Sequence, residues 1–81
     1  MQIFHQLKNY IEDHEFHMDI FADKIHIANY TKILSLGTDK VIIMVPNKKI
    51  TLYGQSFSLN KLLDEEILLE GILTSLEIKN E

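Results

Sequence analysis

Four histidines are the residues of this chain best suited to chemistry: His5, His14, His17 and His26. His14 and His17 lie three residues apart with Glu15 between them, and Asp13 and Asp19 stand close by. Imidazole and carboxylate groups bind zinc when three or four of them converge on one point. A helix would put His14 and His17 on one face, whereas a strand would put them on opposite faces. His17 and His26 occupy the polar phase of two successive alternating runs, so pairing of those runs would bring them together. This His14/His17/His26 region is the one place suited to a small metal- or ligand-binding module. The plainer reading is a set of solvent-facing residues on a half-buried hairpin. No HExxH spacing occurs, and the expectation is no bound metal and no cofactor.

Other reactive types are present without the company they need. Asp64-Glu65-Glu66 offers carboxylates for acid–base work, but adjacent side chains diverge in helix and strand alike, and no histidine or nucleophile is near in sequence. A solvated turn is the better reading. Ser35, Ser56, Ser58 and Ser75 lack the strained Gly-x-Ser-x-Gly elbow. Gly37, Gly54 and Gly71 are isolated and build no phosphate-cradling loop; they read as turn or bulge positions. Three tyrosines and four phenylalanines are too scattered for a base-stacking platform. The sequence carries no catalytic constellation, and the expectation is a protein that is not an enzyme.

Charge and composition narrow the partners. The net charge is −4, with acidic residues gathered towards the two ends and Lys48-Lys49 the one compact basic pair. Nucleic-acid binding draws on clustered Lys and Arg that release counterions, so no nucleic acid is expected. The longest apolar run is Val41-Ile42-Ile43-Met44-Val45, far short of the ~18 residues of a membrane span. The start of the chain lacks a basic segment followed by an apolar stretch, so no secretory signal is expected and a cytoplasmic location is. There is no cysteine in the 81 residues, which removes disulfides and thiolate metal sites.

The elements that would position these residues are read from hydrophobic period. Ile3, Phe4, Leu7, Tyr10 and Ile11 share one helical face. The spacing predicts an N-terminal amphipathic helix over residues 1–13, its core at 2–12. With no clear N-cap and an acidic C-terminal end, such a helix must dock on its own sheet or on a neighbouring chain. From Phe16 onward the period changes to two, and residues 14–81 read as a single β domain. Phe16, Met18 and Ile20 alternate with His17 and Asp19, and Ile25 and Ile27 flank His26. Turns are expected at Ala22-Asp23-Lys24, Gly37-Thr38-Asp39 and Pro46-Asn47-Lys48, and a short hairpin connection at Gly54-Gln55. Residues 62–66 are ambiguous between a helical turn and a bend, and Gly71 reads as a bulge or kink. The expected fold is mainly β, an antiparallel meander of about seven strands forming a roll or small sandwich, with the helix over an edge or open face. The expected core holds Ile25, Ile27, Ile43, Val45, Ile50, Leu52, Leu59, Leu69, Ile72 and Leu76.

Several of these pieces, in this order, resemble the YabP/YqfC family of small sporulation proteins of endospore-forming bacteria. They are Asn29-Tyr30 followed by Ile33 and Leu36, then Asp39-x-Val41-Ile42-Ile43, then Ile50-x-Leu52-x-Gly54-x-x-Phe57-x-Leu59. Glu65-Glu66-Ile67-Leu68-Leu69-Glu70-Gly71 and Ser75-Leu76-Glu77 complete the series. The likeness runs over roughly residues 20 to 79 and rests on the collinearity of turns and apolar phases. It implies a non-enzymatic structural or assembly protein of the mother-cell cytoplasm, acting through protein–protein contacts in spore morphogenesis, with another sporulation protein as an expected partner. It brings no catalytic residues with it. A short chain without staples, a dependent helix and open sheet edges also point to a homo-oligomer, most simply a two-fold dimer.

Overall fold

The computed structural model describes residues 9–12 and 16–81. The helix expected over residues 1–13 falls mostly outside them. Its stretch Asn9–Glu12 is strand β1, paired with the next strand. Six more strands follow: β2 (His17–Ile20), β3 (Lys24–Ala28), β4 (Lys32–Leu36), β5 (Lys40–Val45), β6 (Lys48–Leu62) and β7 (Glu66–Asn80). The described residues contain no helix. All seven strands join one antiparallel sheet in the order β1-β2-β3-β7-β6-β5-β4.

That order departs from a simple meander at one step. Strands β1 to β3 are sequential neighbours, but β4 starts at the far edge and the chain winds back through β5 and β6 until β7 meets β3. Only Asn29, Tyr30 and Thr31 connect β3 to β4. Four strand spacings of a flat sheet cover roughly 19 Å, whereas four Cα steps reach about 14 Å. The sheet must therefore bend so that its two ends approach. The linker is anchored at both ends, Asn29 N–H donating to the Glu65 carbonyl at 2.5 Å and Thr31 N–H to that of Met44 at 2.7 Å. Asn29 has φ 66°, a left-handed conformation that asparagine tolerates better than most residues.

The bend is built into the long β6–β7 ribbon. Each strand has 15 residues, and the two halves of the ribbon serve different neighbours. Glu66–Glu70 of β7 pairs with β3, and Lys48–Tyr53 of β6 pairs with β5. Between the halves the register shifts from Gln55 to Ser58, opposite Gly71. A hairpin connection was expected at Gly54-Gln55; the chain instead continues through a bulge, with Ser56 at φ 60° and Gly71 at φ 136°. The true hairpin turn lies at residues 63–65, where Leu63 N–H donates to the Glu66 carbonyl at 2.8 Å. Backbone donors at the bend are met by other turns. Gly54 N–H reaches the Asp39 carbonyl at 3.0 Å, Phe57 N–H that of Thr38 at 2.8 Å, and Gly71 N–H that of Asp23 at 3.0 Å.

The core lies in the concavity of the bent sheet. Met18, Ile20, Ile25, Ile27, Ile67 and Leu69 come from the β2–β3–β7 side, with Phe16 just ahead of β2. Val41, Ile43, Val45, Ile50 and Leu52 come from the β5–β6 side, and Phe57 fills the bend. The strict alternation in β2, β3 and β5 buries one phase and leaves the other at the surface. Seven of the ten expected core residues are buried. Leu59 and Ile72 are 40 % and 50 % exposed, and Leu76 packs only partly against the core. Leu59 has the inward phase, opposite buried Leu69, but it stands on the last strand of its half, and among the described residues no further strand covers it. Ile72 follows the Gly71 kink and turns outward.

Candidate functional site

The alternation that buries Met18 and Ile27 sets His17, Asp19 and His26 on the outer face of β2 and β3. Register places Asp19 directly opposite His26. Ala28, one turn of the pleat along β3, faces Glu66 of β7. The result is a hydrogen-bonded chain across three strands. His17 Nε2 lies 2.6 Å from Asp19 Oδ1, His26 Nδ1 lies 3.4 Å from Asp19 Oδ2, and His26 Nε2 lies 3.1 Å from Glu66 Oε1. A neutral imidazole has a single N–H, so His26 donates to both carboxylates at once only as the imidazolium. All four side chains keep partial contact with solvent, from 23 % for Asp19 to 51 % for Glu66.

The chemistry open to this arrangement is limited by its geometry. The nitrogens and oxygens face one another rather than a shared empty point, and among the described residues no group of three or more His, Asp or Glu is placed to hold a metal ion. The chain of contacts therefore acts first as a polar cross-strand ladder tying β2, β3 and β7 together. Beside it is a depression of about 240 Å³ lined by His26, Lys61, Leu63, Glu66, Ile67 and Leu68. That is smaller than the roughly 300 Å³ at which small-molecule pockets begin.

The structure brings together His17 and His26, as their shared phase suggested, and adds two carboxylates between and beyond them. His5 and His14 lie outside the described residues. Asp64, Glu65 and Glu66 are exposed around the β6–β7 turn, and of the three Glu66 joins the histidines. The contact of Glu66 with His26 spans 40 positions of sequence; no local signal announces it, because it depends on β7 returning to β3.

The opposite half of the sheet has a different character. On the outer face of β4–β5–β6–β7, register lines up Lys32, Met44, Lys49 and Lys79 in one row. The neighbouring row is Ser35, Ile42, Thr51 and Glu77. Lys40 reaches over the Tyr53 ring at 6.0 Å on the same face. Lysines scattered along the chain are thus gathered in space, while Asp19, Glu66 and Glu70 belong to the other half. No helix among the described residues is long and apolar enough to cross a membrane.

Comparison with protein-family models, with curated proteins and with solved structures found no match for this chain.

Proposed function

We propose that this chain is a non-enzymatic structural or assembly protein that acts through protein–protein contacts, with a role in spore morphogenesis in the mother-cell cytoplasm like that of the YabP/YqfC proteins it resembles. One observation carries the contact role: large apolar side chains stand exposed along the free edges of the bent sheet. Leu34 and Leu36 lie on edge strand β4, and Leu59, Leu62 and Leu63 at the end of β6; Leu62 and Leu63 are 51 % and 52 % exposed. β4 and the last part of β6 run between the same two anchor points. At one end Phe57 N–H meets the Thr38 carbonyl, and at the other the Tyr30 hydroxyl donates to the Leu63 carbonyl at 3.1 Å. The two strands nevertheless do not pair with each other. Backbone that no described strand pairs with, flanked by leucines, is a surface that an added strand or an apolar partner segment would cover.

The sporulation assignment rests on the sequence resemblance, and the test separates it from the contact role. In the native host, deletion of the gene should lower the yield of heat-resistant spores; unchanged sporulation would remove that assignment. Leu62→Asp combined with Leu63→Asp should fail to complement the deletion while melting close to the parent protein. Full complementation by this double variant would show that the exposed leucines make no functional contact.

A further inference from the structure

We infer that the second half of β7 is a homodimer edge, and that two copies pair antiparallel about a two-fold axis through Ile78. This deepens the assembly reading by naming one partner, a second copy of this chain, and the surface it uses.

The argument begins with pairing. β3 covers β7 only along Glu66–Glu70, so beyond Gly71 the strand has β6 on one side and, among the described residues, no strand on the other. From Ser75 to Asn80 the edge is regular, since the last register irregularity lies between Tyr53 and Gly54, opposite Thr74. Its inward phase continues the core row: Leu76 faces buried Leu52 and Ile78 faces buried Ile50. Ile78 remains 39 % exposed, with no described strand beyond it. Its outward phase carries Ser75, Glu77 and Lys79.

Charge selects the partner and the register. Lys79 lies directly opposite Lys49, a like-charge cross-strand pair that is unfavourable. Among the described residues neither lysine has a carboxylate partner in an ion pair. An axis through Ile78 sets Glu77 of each copy opposite Lys79 of the other and Ile78 opposite its own mate, and it places a carboxylate beside the strained lysine pair. The neighbouring same-face register, with the axis at Glu77, would set glutamate against glutamate. A two-fold contact repeats every favourable pair twice. Charges on an exposed edge otherwise discourage pairing, so the like-charge registers centred on Glu77 and Lys79 are disfavoured and the one centred on Ile78 gains two opposite-charge pairs.

The test uses the full chain and single charge reversals at exposed positions, which leave the core untouched. Sedimentation equilibrium of the parent protein, from micromolar to submillimolar concentration at low salt, should show a two-chain mass at the upper end. Glu77→Lys alone sets lysine against lysine, and Lys79→Glu alone sets glutamate against glutamate; each should sediment as one chain over the same range. An equimolar mixture of the two single variants, and separately the double variant E77K/K79E, should regain the two-chain mass. A parent protein that stays monomeric throughout would overturn the inference and leave the leucine-edge reading to its own test in cells. Dimers that persist in both single variants, or single variants that fail to recombine, would place the contact elsewhere and equally overturn it.

Discussion

Two glycines and one phenylalanine decide whether this chain can bend. A Cβ built on Gly54 would collide with the backbone carbonyl of Ile72 and come within 2.5 Å of the Phe57 ring. On Gly71 it would lie 2.7 Å from the same ring and 2.9 Å from the Phe57 Cα, at a φ of 136° that side chains rarely adopt. The ribbon crosses itself so closely here that only hydrogen fits, and Phe57 seals the crossing. Gly54→Ala and Gly71→Ala should each cost at least about 2 kcal/mol, from overpacking at the first and backbone strain plus overpacking at the second. Gly37→Ala is the comparison. Its Cβ would meet the Lys40 carbonyl at 3.1 Å and the Asp39 Oδ1 at 4.0 Å, with no positive φ involved. Urea unfolding ranks the three, and a Gly37 variant as damaged as the other two would refute the account of the bend. Local sequence shows these glycines as punctuation, but a turn glycine and a bulge glycine look alike until the partner strand is known.

At the scale of elements, the β6–β7 ribbon shows why phase alone does not establish burial. Leu59 and Leu69 face each other across the ribbon on the same side of the sheet. Leu69 is fully buried while Leu59 is 40 % exposed, because β3 continues the sheet beyond Leu69 and nothing described continues it beyond Leu59. Leu69→Ala should therefore cost roughly 2–5 kcal/mol, the range for a fully buried leucine with the cavity it leaves. Leu59→Ala should stay within about 1 kcal/mol, since partly exposed apolar surface loses far less on truncation. Denaturant midpoints of the two variants decide this, and equal losses would mean that Leu59 is covered in solution. The same reasoning accounts for Ile72, which has the apolar character of a core residue but lies past the kink that reverses the facing of the strand.

For the whole molecule, the order β1-β2-β3-β7-β6-β5-β4 makes the middle of the sheet the most cooperative region. β7 at Glu66–Glu70 and β6 at Lys48–Tyr53 have neighbours on both sides, whereas β4 has one among the described strands. Amide exchange of Ile50, Leu52, Ile67 and Leu69 should then be slowest and should report global unfolding, with β4 amides released through local opening at much lower free energy. Exchange from β4 as slow as that from β6 would show that the edge is closed, by a second copy or by another part of the chain.

The linear order of residues by itself determined the strand character of β2, β3 and β5 and the buried phase of β2 and β3. A period of two needs no partner to be visible, whereas the unbroken apolar run of β5 marks a strand without showing which phase is buried, and Pro46-Asn47 and Ala22-Asp23 mark their turns by backbone preference. It also put His17 and His26 in one phase. The tertiary structure alone decided that Gly54 sits in a bulge, that β4 begins at the far edge, and that Leu59 is uncovered. It likewise decided that Glu66 closes the chain of contacts from His17, and that Lys32, Lys49 and Lys79 fall in one row. Each of these depends on which strands pair, and pairing is set by the bend at Gly54 and Gly71 together with a three-residue linker too short for a flat sheet. Those are constraints of distance between residues remote in sequence, and no local pattern encodes them.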